Sequence, residues 1–505
     1  MHFFLARRSG FFCAAIYAEG QAVTWTIAFR EIRDHVLSLR FYLGFALCLV
    51  LMVAGTLVLA EEQGQRRENL APYLDQDQYR SVTEWANANW LMNGSLFLAR
   101  PLPPLRSIVY GLHNSSFLAQ VKGANYVLYQ RAPLVGNPLP ALFASFDVLF
   151  VVGVVLSLLA LVFSYDGLAG EREEGTLRLV LAYPIGRGEV LMGKWLGAFI
   201  ALAVLFTPCF IVVIFVGASH ALIAFVMADL WALLGMYAGC LLYMGVFISL
   251  GLLVSVHSSG TGVALARALV VWALAIWIVP SFAPYVAAAL SEGKPALMVE
   301  ANISRTRFTA EREGWAEVAR FIRDRGWGEH EEANWNLDWG TWSDAVPRLQ
   351  AVLADEADKV ALAALSTEVM RAQLAEMEEV AARLKAGHIR DRHREVELGQ
   401  MLACLSPLGP LTFMLTDLAG TGVAGEFHFR AGVERFKGDL VAYLHRQLAE
   451  RSMWEQLEAE SFPYFTYRPE VEKAGAEVLV YPLILLLYAI GFFLAAYLRF
   501  ARAEI

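Results

Sequence analysis

The amino-acid sequence predicts a polytopic α-helical membrane protein with six transmembrane helices, a mostly helical extracytoplasmic domain and a smaller mixed one. Three observations carry this. Of the 505 residues 57% are hydrophobic and only 18% charged, whereas a soluble domain carries about a quarter charged residues. Six apolar stretches reach the roughly 20 residues that a helix needs to cross a hydrocarbon core about 30 Å thick. Arg and Lys gather in the short connections on one side of those stretches only. The net charge of −8 gives no basic signature for nucleic acid. Cys13, Cys48, Cys209, Cys240 and Cys404 form no C-x-x-C pair, which argues against a disulfide framework or a zinc site and for small buried hydrophobes.

Residues 1–40 read as a cytoplasmic tail and an interfacial amphipathic helix. Arg7-Arg8 before Phe11-Phe12 superficially resembles a twin-arginine signal, but the apolar run that follows is short and broken by Glu19. Further on, Trp25, Phe29, Ile32, Val36 and Leu39 recur at three- and four-residue spacing, with Arg30, Glu31, Arg33, Asp34 and His35 on the other face. That pattern suits a helix lying in the inner-leaflet interface.

The spans are read at 41–60, 141–163, 195–218, 231–254, 268–290 and 478–498. Pro208, Pro280 and Pro284 fall inside them, as membrane helices tolerate. Arg30, Arg33 and Arg40 precede the first span, and Arg172, Arg178, Arg187 and Lys194 separate the second from the third. Arg267 precedes the fifth, Arg499 and Arg502 follow the sixth, and the connection between the third and fourth has neither Lys nor Arg. Both termini, including the 499–505 tail, are therefore expected in the cytoplasm of a bacterial cell, with the spans in its inner membrane. Segments 61–140 and 291–477 then lie outside.

The first outer segment contains Pro101-Leu102-Pro103-Pro104 and a strand-like run at 126–130, and reads as the smaller mixed domain. In the second, 345–394 predicts one or two long helices, with Leu349, Val352, Leu353, Val360, Ala364 and Leu374 facing a partner helix. Trp315, Trp327, Trp335, Trp339 and Trp342 are interleaved with acids, which favours a domain core over a membrane-interface or partner surface. The run 402–418 is apolar, broken by Pro407 and Pro410 and too short to cross, which suggests a re-entrant or interfacial element.

Residues 164–194 form the most specific segment. Glu171-Arg172-Glu173-Glu174 gives way at Gly175-Thr176 to the short apolar run begun by Leu177, which Pro184 ends; Arg187 and Lys194 follow. Thr176 is the expected N-cap, with the acids near the positive end of the helix dipole. Such an element presents charge and apolar side chains on a stub between two membrane helices, suited to docking in a groove of another protein. Gly188 to Lys194 also matches G-x-x-x-x-G-K, but Trp195 supplies no hydroxyl for Mg²⁺ and Lys194 opens a membrane helix. His330-Glu331 begins like H-E-x-x-H, yet Asn334 stands where the second ligand belongs. His388 and His393 share no helix face well, and solvated surface is the reading for all three histidines.

The order of Glu171, Arg172, Glu173, Glu174, Gly175, Thr176, Leu177, Pro184, Arg187 and Lys194 resembles the ABC-2 family of transporter permeases, in a form with a large extracytoplasmic insert before the last span. The resemblance implies that these residues form the coupling helix that meets the ATPase. It implies a permease that pairs with a second permease subunit, as homo- or heterodimer, on separate ATP-binding cassette subunits. Those partners would hold ATP and Mg²⁺, leaving no cofactor, no metal and no catalytic residue in this chain. Membrane lipids and an extracytoplasmic partner complete the expected contacts, and nucleic acid is excluded. The alternative reading is a membrane-anchored sensor or scaffold that binds a partner through its outer domain; it lacks a cytoplasmic output domain. A polytopic enzyme would place paired acids or histidines within the spans, and only Asp147, His220 and Asp229 come near, at their outer ends.

Overall fold

The computed structural model describes residues 23–75, 77–111, 117–122, 126–130, 146–219, 225–291, 296–327, 341–467 and 478–503. Cys13, Trp335, Trp339, His220, His330 and the Arg7-Arg8 pair lie outside them, as do the side chains of Trp342 and His388.

Among the described residues, six helices are long and apolar enough to cross a membrane: Leu39–Leu74, Val148–Glu173, Arg187–Ser219, Met227–His257, Thr261–Leu290 and Val480–Arg502. They run in alternate directions. One end of the bundle, the base, gathers a helix at 23–36, the segment around 165–187 and Arg502. The other end carries a folded head. The fourth span is the central member, with every residue from Tyr243 to Leu252 buried; it packs on the second, third and sixth spans. The fifth is the most peripheral, burying only small or slender side chains such as Ala264, Ala268, Ile276, Ala283 and Ala287.

Two of the spans widen locally into π-helical turns, at Val151–Leu156 and Leu274–Ile278. Such turns disturb the regular backbone pairing, and here side chains answer the carbonyls. Tyr243 Oη donates to the Gly153 carbonyl at 2.9 Å, and Ser406 Oγ to the Ala275 carbonyl at 2.5 Å. The second of these bonds comes from just before a short helix, Leu408–Leu418, which lodges in the head end of the bundle. Its Leu411 and Leu415 belong to the membrane core, while Met414 rests on Gly239 and Leu418 on Gly235.

In the head, β1 (Ser95–Ala99), β2 (Leu118–Lys122) and β3 (Tyr126–Gln130) form an antiparallel meander. The two outer segments, distinct in sequence, share one core. Tyr79, Leu91, Leu98 and Val121 of the first are packed with Met370, Phe429, Phe436, Tyr443 and Phe462 of the second. A satellite core holds Val318, Ile322, Trp327, Leu349, Leu353 and Leu362, with Trp315 against both. The continuous face expected across 345–394 is broken. Leu349, Leu353 and Leu374 are buried, but Val352, Val360 and Ala364 are exposed. One helix stops at Val352 and a new one, Glu356–Ala403, starts behind an Asp355 N-cap, so the periodicity restarts on a different face.

Candidate functional site

At the base, residues 165–187 fold into two short helices, Ala169–Glu173 and Thr176–Leu181, joined by a tight turn. The turn hinges on Gly175, whose φ of +77° lies in the left-handed region that costs other residues a Cβ clash. Gly175 is thus the N-cap of the second helix. The expected capping role of Thr176 is corrected: it is the first helical residue, and its hydroxyl donates back to the Glu171 carbonyl at 3.2 Å. The second helix turns Leu177 into the membrane core and leaves Leu179 and Tyr183 exposed, at 66% and 63%.

Most of the charged residues in this segment face other spans. Lys194, buried on the third span, donates to Glu171 Oε1 at 2.7 Å and to Glu31 Oε1 of the 23–36 helix at 2.6 Å. Arg172 donates to the Ser258 carbonyl at 2.6 Å and to Val256 at 3.3 Å, so it caps the end of the fourth span. Glu173 Oε2 accepts from the Thr261 amide and hydroxyl, both at 2.8 Å, at the positive N-terminus of the fifth. Arg187 Nη1 donates to the carbonyls of Phe500, Ala501 and Ala503 at 2.7, 2.9 and 2.9 Å, closing the sixth. Arg40, at the start of the first span, pairs with Asp166 at 3.0 Å. Ser255 Oγ accepts from the amides of Leu168 and Ala169 at 3.0 and 2.9 Å. The segment is therefore bonded to the base end of every span. Glu174, Thr176, Arg178, Leu179, Ala182, Tyr183 and Pro184 remain exposed around it.

The 23–36 helix joins the same knot. A β-carbon added at Gly193 would lie 2.8 Å from Ile27 Cβ, and one at Gly197 would lie 2.4 Å from Glu31 Cβ, so these glycines admit the helix directly against the third span. Trp25 and Phe29 stay exposed outward, and Arg30, Arg33 and Asp34 form exposed ion pairs. Glu31 and His35, expected on the solvated face, turn inward instead. The His35 ring stacks on Phe163 at 4.7 Å between centroids. Burial pushes its pKa below the ordinary value, against the pull of Glu31.

Sequence reasoning brought together the residues of the loop but missed those that answer them: Glu31, Asp166, Ser255 and Thr261. The Gly193-x-x-x-Gly197 spacing was the available signal. The G-x-x-x-x-G-K match lies within the regular helix Arg187–Ser219, with Lys194 consumed by two carboxylates. Asp147 is a helix N-cap and Asp229 lies in the first turn of the fourth span, accepting from the Phe150 amide and from the amide of the Val226 N-cap at 2.8 Å each. His393 stacks on Phe427. Among the described residues, no group of three His, Cys, Asp or Glu side chains is placed to hold a metal ion.

Two curated relatives share parts of the sequence. The Probable ABC transporter permease protein NosY of Pseudomonas aeruginosa is 38% identical over 125 residues, covering 23% of this chain and 43% of that protein. The protein of the same name from Stutzerimonas stutzeri is 51% identical over 53 residues, covering 10% of this chain and 19% of that protein. The aligned part thus spans less than half the length of either relative. The family model described as ABC-2 family transporter protein matches residues 25–505, which takes in the six spans, the base and the head. This chain belongs to the ABC-2 family of transporter proteins.

Proposed function

We propose that the chain is the membrane-spanning permease subunit of an ATP-binding cassette transporter, and that the base is where a separate ATPase pushes on it. One observation carries the reading: a short helix with an exposed polar and apolar surface, bonded at its root to all six spans. Force applied to such an element reaches the whole bundle at once. ATP and Mg²⁺ belong to the partner in this scheme.

The roles divide by side-chain direction. Glu174, Arg178, Leu179 and Tyr183 meet the ATPase. Glu171, Arg172, Glu173, Arg187 and Lys194 pass its motion to the spans, with Gly175, Thr176, Leu177 and Pro184 shaping the helix between them. The base faces the cytoplasm of a bacterial inner membrane, both termini lie on that side, and a second permease subunit completes the transporter. The names of the NosY relatives and the excess of Arg and Lys at the base support this assignment.

The test is co-purification of the ATPase with Leu179→Asp plus Tyr183→Ser, beside cysteine labelling at Glu174 and Glu84. Loss of the ATPase without loss of membrane insertion is expected, with Glu174 labelled only from the cytoplasm and Glu84 only from outside. Full ATPase recruitment and stimulation by the double variant would remove the coupling role, and outside labelling at position 174 would remove the orientation.

A further inference from the structure

At the base, between the fourth and fifth spans, lies an open apolar groove of about 630 Å³. Leu250, Leu253 and Val254 form one wall, and Val270 and Val271 the other. Its volume lies in the range of small-ligand sites, roughly 300–1,000 Å³. Two basic side chains border this otherwise apolar lining, His257 and Arg267. Both are held in place. Arg267 Nη1 donates to the His257 carbonyl at 2.8 Å, and His257 Nδ1 lies 2.9 Å from the Leu253 carbonyl, which can only accept, so that nitrogen carries the proton. Arg267 is exposed and keeps further N–H groups for an external acceptor. Glu173, the carboxylate at the end of the second span, already accepts from Thr261 at the start of the fifth.

We propose that this groove holds an acyl chain of an anionic phospholipid, with the lipid phosphate paired to Arg267. An open apolar slot between two spans, with the Arg267 guanidinium beside it, matches a lipid in both its parts. A second copy of this chain is the competing occupant. The exposed face of the fifth span carries Leu274, Trp277, Ile278, Phe282 and Tyr285; it brings no carboxylate to meet Arg267, whereas an anionic phospholipid brings a headgroup of net negative charge. The lipid then braces the end of the fourth span against the start of the fifth, next to the Arg172 and Glu173 contacts.

The experiment is native mass spectrometry of the purified, delipidated protein, titrated with phosphatidylglycerol or phosphatidylcholine of identical acyl chains. Phosphatidylglycerol is expected to be retained preferentially. Arg267→Gln should weaken its retention about fivefold, the equivalent of the roughly 1 kcal/mol a basic side chain contributes near an anionic surface, and weaken phosphatidylcholine less, because choline neutralises the phosphate of that lipid. Val270→Trp, which fills the groove, should weaken both lipids, and Arg502→Gln should weaken neither. Thermal melting of each variant separates lost binding from lost folding. Equal retention of the two lipids, or an unaffected Arg267→Gln, overturns the proposal. So does efficient disulfide cross-linking between copies carrying Val270→Cys in lipid-replete membranes, because a second copy would then fill the slot. ATPase recruitment is measured in parallel, so failure here is distinguishable from failure of the permease reading.

Discussion

Lys194 shows how one residue is set by its surroundings. It is 6% exposed and has two carboxylates, so the group of three carries an excess negative charge, and the buried Glu171 Oε2 has no hydrogen-bond partner. Removing the cation strands both acids. Lys194→Met should therefore destabilise the protein by about 3–5 kcal/mol, the usual result of breaking a buried pair from one side, while Glu171→Gln should cost far less because Lys194 keeps Glu31. Melting of the two purified variants in detergent checks the order; a Lys194→Met as stable as Glu171→Gln would mean the triad does not hold the base together.

His35 gives a pH dependence. Its folded pKa is depressed by burial, so as pH falls below its ordinary value of about 6.5 the unfolded chain takes the proton first. Its contribution to stability is present above that value and is lost as pH drops through the lowered folded value. The melting temperature should fall as pH drops below about 6.5, and less steeply in His35→Gln. Parallel slopes would assign the pH dependence to other groups.

At the scale of elements, the Thr176–Leu181 helix was legible in its charge-to-apolar transition, but the distribution of its faces was not. Sequence could not tell whether Glu171 and Leu177 look outward, because that depends on Lys194 and the membrane core, which only the packing brings near. The cap was also misread: Thr176 has the favoured chemistry, yet Gly175 has the conformation the turn requires. Gly175→Ala meets no neighbouring atom within 4 Å but must hold a φ of +77°. It should cost about 1–2 kcal/mol from backbone strain alone and lower ATPase co-purification with it. Thr176→Ala should stay within about 0.5 kcal/mol, the range of surface changes. Equal losses from the two variants would return the capping role to Thr176. The break at Asp355 teaches the same lesson, since an apolar period is legible only as far as its helix is continuous.

For the whole molecule, hydropathy announced six spans, and the described residues contain six helices long and apolar enough to cross a membrane, because that capacity is a matter of length and apolarity. The joining of the two outer segments was beyond sequence: their shared core pairs residues as distant as Leu98 and Phe429. Phe429→Ala should cost about 3–5 kcal/mol, the range for deleting a buried aromatic ring, and should raise proteolysis within residues 79–130 as well as around the mutation. Limited proteolysis with mapping of the cut sites decides; cleavage confined to the second segment would mean that the two fold independently.

The first span does not stop at the membrane surface. From its Ser38 cap at the base it continues unbroken to Leu74 in the head, and 36 residues of helix at 1.5 Å each make a rod about 54 Å long. A rod amplifies angle into distance. Pivoting about its lower end by about 5° would sweep its upper end sideways by about 5 Å, one helical turn. Arg40 sits at that lower end, gripped by Asp166, and Leu70 sits near the upper one, packed against Ala99, Leu102 and Phe117. A lever of this length carries a displacement across the bilayer by geometry alone, without any chain of intermediate side-chain switches.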